Sequence, residues 1–302
     1  MYSEQWVESE VRVGDVTLQS GAILQDVCVR YLQRGVPDAP KTNIVLLPGY
    51  YGGAMAGNIP LACGDSPLGD RRWCLIIPGM LGAGESTSPS NAASGQRGAR
   101  FPAISLADQV LVQRRMLDSL FDDWRLALVA GWSLGGMQSL QWGCLFPDRV
   151  DRVAAWCSGV KCYPHNLLFL LGLKAALLAD PHSRNGAKPV DGLRAFARVY
   201  ASRAYGPRFL RDGLFRQLGF ESIDQLLQFW EQDHLAMDHH DLLCVLDMWA
   251  RADISDNAWF NGDMGAALAA LQMPTLIMPS STDQYFLAEE SRADASRMPS
   301  AV

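Results

Sequence analysis

Covalent chemistry in this sequence centres on Gly131-Trp132-Ser133-Leu134-Gly135. A serine works as a nucleophile when it is exposed, has a base within reach, and has donors for the oxyanion that forms on the attacked carbonyl. The Gly-x-Ser-x-Gly pattern supplies the exposure. Between a strand and a helix it makes a sharp, strained turn that lifts the serine, and its glycines let two backbones approach closely. An apolar run at 126–130 precedes the pattern, and Met137, Leu140 and Trp142 follow it at helix-compatible spacing. Ser133 is therefore the candidate nucleophile.

Donors for an oxyanion are expected from Leu134, directly after the serine, and from the loop Pro48-Gly49-Tyr50-Tyr51-Gly52-Gly53 behind an earlier apolar run. Backbone amides from the two segments can point at one oxygen. The acid that orients the base follows the serine in chain order, after a late strand. Asp283, in Pro279-Ser280-Ser281-Thr282-Asp283, stands there. The base itself has no clear candidate. The five histidines (His165, His182, His234, His239 and His240) all precede Asp283. His239 and His240 are adjacent, so on a helix they point about 100° apart and make a poor chelate. No metal site is expected. His165 falls just after the run at 150–156 and could lie near the serine.

Those residues need a scaffold. Continuous apolar runs at 43–47, 73–77 and 126–130, each closed by Pro-Gly or Gly, read as strands covered on both faces, as in a parallel sheet. Runs at 150–156 and 273–278 add two more, and 106–120 reads as a helix between the second and third. Alternation of this kind predicts a doubly wound α/β sheet. Residues 161–258 carry apolar positions at helical spacing and no convincing strand, which predicts a helical insertion capping the sheet. The expected organisation is a first core segment at 1–160, a lid at 161–258 and a second core segment at 259–302. The Ser-, Gly- and Asn-rich stretch 85–98 reads as a long surface loop.

Composition narrows the partners. Thirty-two acidic against 26 basic residues leave a net charge of −6 with no basic run, which disfavours a nucleic-acid or anionic-membrane partner. The longest apolar run, 167–179, is interrupted by Lys174 and is short of the ~20 residues that cross a bilayer. It reads as a buried helix, or as one lining an acyl pocket or a dimer contact. Seven cysteines with no CxxC spacing read as reduced thiols. Residues 1–14 are polar and acidic, unlike a secretory signal. Together these point to the cytoplasm.

The motifs resemble those of the homoserine O-acetyltransferase family and its close α/β-hydrolase relatives. The matching stretches are Gly131-Trp132-Ser133-Leu134-Gly135-Gly136-Met137-Gln138-Ser139-Leu140-Gln141-Trp142, the segment from Pro78-Gly79-Met80-Leu81-Gly82 to Ser90, and Asp241-Leu242-Leu243 leading to Trp249 and Ala252-Asp253-Ile254-Ser255. The resemblance implies an α/β-hydrolase fold with a helical lid that also forms a homodimer. It implies Ser133 as nucleophile, Asp283 as acid, and Tyr50 and Leu134 as backbone oxyanion donors. It implies no bound cofactor, with acetyl-CoA or another acyl-CoA as co-substrate, and acyl transfer to an alcohol through a Ser133 ester. Hydrolysis of a small ester or thioester uses the same groups. The family's histidine stands in a Gly-His pair beyond a final strand, and no such pair follows Asp283. On that likeness the last strand and helix are expected to be missing, by truncation or decay into a non-catalytic paralogue, leaving 273–278 as an unpaired edge. A lid arginine grips the substrate carboxylate in the family. The counterpart here is Arg198, in Gly192-Leu193-Arg194-Ala195-Phe196-Ala197-Arg198, where one extra residue rotates it by about 100° on a helix.

Overall fold

The computed structural model describes residues 6–302; the first five residues of the polar N-terminal stretch lie outside them. Among the described residues, seven strands form one sheet in the order β1-β2-β4-β3-β5-β6-β7. They are β1 (Val7–Thr17), β2 (Ile23–Arg34), β3 (Ile44–Leu46), β4 (Cys74–Pro78), β5 (Leu126–Trp132), β6 (Val153–Trp156) and β7 (Thr275–Met278). From β4 through β7 every pairing is parallel, whereas β1 and β2 form an antiparallel hairpin added to β4. The mainly parallel α/β sheet expected from the apolar runs is present. The hairpin was not foreseen, because its first strand alternates partly buried and exposed residues and lacks a continuous apolar run.

Successive residues of a strand face opposite sides, and β3 shows the consequence. Ile44 and Leu46 join one core with α1 (Leu106–Leu120) and α2 (Leu134–Leu145), while Val45 and Leu47 join another with Met55, Ile59 and Ala62. Strands buried on both sides must be apolar throughout, which is why β3 and β4 carry no polar residue. Helix α1 starts where a reciprocal cap dictates. Ser105 accepts from the Asp108 amide and the Asp108 carboxylate accepts from the Ser105 amide.

Between β6 and β7 lie α3 (Pro164–Leu178), α4 (Val190–Ala204), α5 (Pro207–Arg211), α6 (Ile223–Leu235) and α7 (His239–Ala250). The segment enters and leaves through a paired stem. Cys162 N–H donates to the Ala252 carbonyl at 2.8 Å, and Ile254 N–H to that of Val160 at 3.0 Å. A further helix, α8 (Met264–Ala269), then precedes β7.

Two expectations are corrected. After β7 comes α9 (Ala288–Ala295), and then residues 300–302 run parallel to β7. Thr275 N–H donates to the Ser300 carbonyl, Val302 N–H to that of Thr275, and Ile277 N–H to that of Val302, at 2.9–3.0 Å. The β7 edge is thus paired, and a helix does follow it. The stretch 85–98 is not a simple surface loop either. Ser86, Thr87 and Ser88 are buried because their hydroxyls serve neighbouring backbone. Arg30 N–H donates to Ser86 Oγ at 3.1 Å, and Cys28 N–H to Thr87 Oγ1 at 2.9 Å.

The same loop anchors the lid. Asp241 on α7 accepts from the Ser90 amide at 2.9 Å and from its hydroxyl at 2.6 Å. Burial pushes the Asp241 carboxyl up to about 6, against the lowering effect of those two bonds. A carboxyl raised in the folded state contributes stability below its unfolded value near 4 and loses it as pH rises through about 6. Asp241→Asn keeps partners for Ser90 without the buried charge. The melting temperature of this variant minus that of the wild type should therefore grow between pH 4.5 and 7, by an amount worth up to roughly 3 kcal/mol. A difference that stays flat across that range in paired thermal melts refutes this account of Asp241.

Candidate active site

Ser133 sits between β5 and α2 with φ 53° and ψ −128°, backbone that a non-glycine residue adopts only under constraint. Close packing imposes it. A Cβ on Gly131 would lie 2.5 Å from the carbonyl carbon of Gly135, and one on Gly135 would lie 2.6 Å from the carbonyl oxygen of Pro48. The end of β6 clamps the serine from the other side. Ser133 N–H donates to the carbonyls of Trp156 and Cys157, both at 3.1 Å, and the Ser158 hydroxyl donates to the Ser133 carbonyl at 2.7 Å. Cys157 is itself held at φ 45°.

The loop after β3 is fixed as firmly. Asn58 Nδ2 donates to the carbonyls of Leu47 at 3.3 Å and Pro48 at 3.1 Å, and Gln138 Nε2 donates to that of Gly49 at 2.8 Å. The Tyr50 ring packs on the Trp132 ring with centroids 4.2 Å apart. Leu134 is the first residue of α2, so its amide has no acceptor within the helix. The two candidate donors therefore flank the serine.

Asp283 lies in the turn after β7, where its carboxylate accepts from the amides of Tyr285 at 2.7 Å and Phe286 at 2.9 Å. Burial, and then the negative charge of Asp283, push the neighbouring Cys157 thiol up. Ser133, Tyr50, Cys157 and Asp283 line one cavity of about 520 Å³, roofed by lid residues that include Tyr200, Arg203, Trp230 and His234. The structure thus gathers Ser133, Asp283 and the Tyr50 loop at one place.

No histidine is hydrogen-bonded to Ser133 or Asp283 among the described residues. His165 approaches the turn that bears Asp283, with Nε2 3.1 Å from the Gln284 carbonyl and 3.0 Å from Arg203 Nη1. His234 is buried in the lid, with Nδ1 2.9 Å from the Trp230 carbonyl, and burial pushes its pKa down. Arg198 is not on the cavity wall. It stands on the exposed face of α4, paired with Glu231. Arg203, five residues further on the same helix, reaches the cavity instead. Sequence reasoning missed Arg203, Asn58 and Gln138. Only Gln138 carried a signal, its place in the run that follows Ser133.

Residues 42–301 match the alpha/beta hydrolase fold family. The chain is 28% identical to the ethyl acetate hydrolase of Pseudomonas veronii, across 96% of this chain and 84% of that protein. It is 30% identical to the homoserine O-succinyltransferase of Burkholderia pseudomallei, across 91% and 82%. The solved structure of an acetylester hydrolase from Corynebacterium glutamicum superposes with a TM-score of 0.93 at 29% identity, covering 98% of this chain and 86% of that one. The fold and its strand-turn-helix serine are those of an α/β hydrolase. The chain belongs to the α/β-hydrolase family, in its homoserine O-acetyltransferase-like group, whose members matched here are ester hydrolases and homoserine acyltransferases.

The elbow's packing makes a direct prediction. Gly135→Ala puts a methyl group against backbone that cannot swing aside, so it should destabilise the protein by at least ~2 kcal/mol. Chemical denaturation of the variant checks this, and a midpoint equal to wild type contradicts the close approach.

Proposed function

We propose that this protein hydrolyses short-chain carboxylic esters through an ester formed on Ser133. The observation that carries the reading is the strained Ser133, set in the cavity wall between the Tyr50 loop and Asp283. In the first step Ser133 Oγ bonds to the ester carbonyl carbon, the bond to the alkoxy oxygen breaks, and the alcohol leaves with the serine's proton. Water then attacks the acyl-enzyme, the Oγ–carbon bond breaks, one water proton passes to Oγ, and the carboxylic acid departs. The amides of Tyr50 and Leu134 are the donors for the charge that develops on the carbonyl oxygen in both steps, each worth ~3 kcal/mol in the transition state. A small acyl group suits a cavity of about 520 Å³ and matches the ethyl acetate and acetylester hydrolases among the relatives.

Asp283 serves this chemistry by orienting an imidazole between itself and Ser133. None of the described histidines bonds to either group, so the proton transfer is the step without a histidine partner among the described residues. A second reading, transfer of an acyl group from an acyl-CoA to an alcohol, is supported by the likeness to homoserine O-succinyltransferase. The outward position of Arg198 argues against homoserine as the acceptor, since no family-type carboxylate grip faces the cavity from that position.

A fluorophosphonate should label Ser133 slowly, and imidazole in the buffer should accelerate labelling by about tenfold or more by taking up the proton. Ser133→Ala should abolish the label. Under the same conditions, acetate release from a short acetyl ester should need no alcohol acceptor. Folded protein that takes no label with or without imidazole rules out the serine-ester mechanism. Release of CoA from acetyl-CoA only when an alcohol is added selects the transfer reading instead.

A further inference from the structure

We infer that Gln138 is a positioning residue that aims the Tyr50 amide at the carbonyl oxygen attacked by Ser133; the inference rests on the serine-ester reading above. Gln138 is fully buried on α2 and bonded at both ends of its side-chain amide. Nε2 donates to the Gly49 carbonyl at 2.8 Å, and Oε1 accepts from Gln113 Nε2 at 2.7 Å. Gln113 Oε1 in turn accepts from Trp142 Nε1 at 2.7 Å. The direction of this relay is set by chemistry. An indole nitrogen can only donate, so Gln113 must turn its oxygen to Trp142 and its nitrogen to Gln138. Gln138 must then present its oxygen to Gln113, which leaves only its nitrogen for Gly49.

The Gly49 carbonyl belongs to the same peptide unit as the Tyr50 amide. That peptide is trans, so its C=O and N–H point in opposite directions. Holding the carbonyl on Gln138 turns the Tyr50 N–H away from the Gln138 side chain, on a residue that lines the cavity with Ser133. No acceptor takes this N–H among the described residues, and a backbone donor left without a partner is rare. A donor on the carbonyl also polarises the peptide and strengthens its N–H as a donor. Asn58, on the carbonyls of Leu47 and Pro48, holds the two preceding peptides. Among the described residues, Gln138 alone hydrogen-bonds the peptide that carries the candidate oxyanion donor.

The test reads the peptide and the reaction separately. Gly49-Tyr50 is the only Gly-Tyr pair in the sequence, so protein labelled with ¹³C at glycine carbonyls and ¹⁵N at tyrosine gives one coupled amide signal. In Gln138→Leu the Tyr50 ¹⁵N signal should move upfield as the carbonyl loses its donor. The maximal rate of fluorophosphonate labelling, with imidazole present, should fall about tenfold, while the half-saturating reagent concentration changes by less than about twofold. If Gln138→Leu does not fold, Gln138→Met, which keeps the length without the donor, is read on the same two signals. A folded variant that labels at the wild-type rate overturns the inference, whether or not the signal moves. A loss confined to the half-saturating concentration also overturns it, since that would be a binding effect. Wild-type protein that takes no label sinks the ester reading itself, an outcome distinguishable from failure of the variant alone.

Discussion

The candidate site depends on one close contact, the approach of the first turn of α2 to the loop after β3 with no side chain between them. Gly131 and Gly135 leave room for backbone to meet backbone, and Ser133 is driven into positive φ as a result. Strain of this kind costs of order 1–3 kcal/mol and persists only where surrounding structure over-determines it. Here the surroundings do so twice. The end of β6 takes the serine's amide and supplies a hydroxyl to its carbonyl, while buried side chains of Asn58 and Gln138 hold the opposing loop.

That contact ties the fold to the chemistry. Both β3 and β5 are buried on two faces, so their ends cannot drift without disturbing two cores at once. The C-terminal ends of these strands lead to Tyr50 and Ser133 in one cavity wall, and β7, two strands beyond β5 in the sheet, leads to Asp283. The lid adds a roof of aromatic side chains and stands on a stem whose two arms are hydrogen-bonded to each other. A lid mounted in this way can vary in its helices without moving the serine, which allows ester hydrolases and acyltransferases to share one core.

The charged and basic groups around the cavity follow a different logic. Arg198 and Arg203 lie on one helix, yet five residues correspond to about 140° of rotation, so one pairs with Glu231 outside and the other reaches the cavity. His165 comes to the turn that bears Asp283 but engages a backbone carbonyl and Arg203. His234 is enclosed among aromatic rings, where burial favours its neutral form. Neither imidazole is hydrogen-bonded to Asp283 or Ser133.

The sequence by itself determined the elbow, the strands β3 to β7 and helix α1, because their signals are local. A doubly buried strand must be continuously apolar, a cap such as Ser105 with Asp108 spans four residues, and the glycines flanking Ser133 are needed within one turn. The position of Asp283 in the turn after β7 was legible for the same reason, from its place just after an apolar run. Tertiary structure alone decided what depends on segments far apart in the chain. The β1–β2 hairpin joins the sheet by pairing with β4, and residues 300–302 cover β7, although neither segment carries a continuous apolar run. Ser86 and Thr87 are buried because the backbone of β2 meets their hydroxyls. Gln138 reaches a carbonyl 89 positions away, and which lid arginine faces the cavity depends on how α4 is rotated against the core. Hydrophobic period and turn chemistry specify elements, but only packing specifies which polar atoms meet across them.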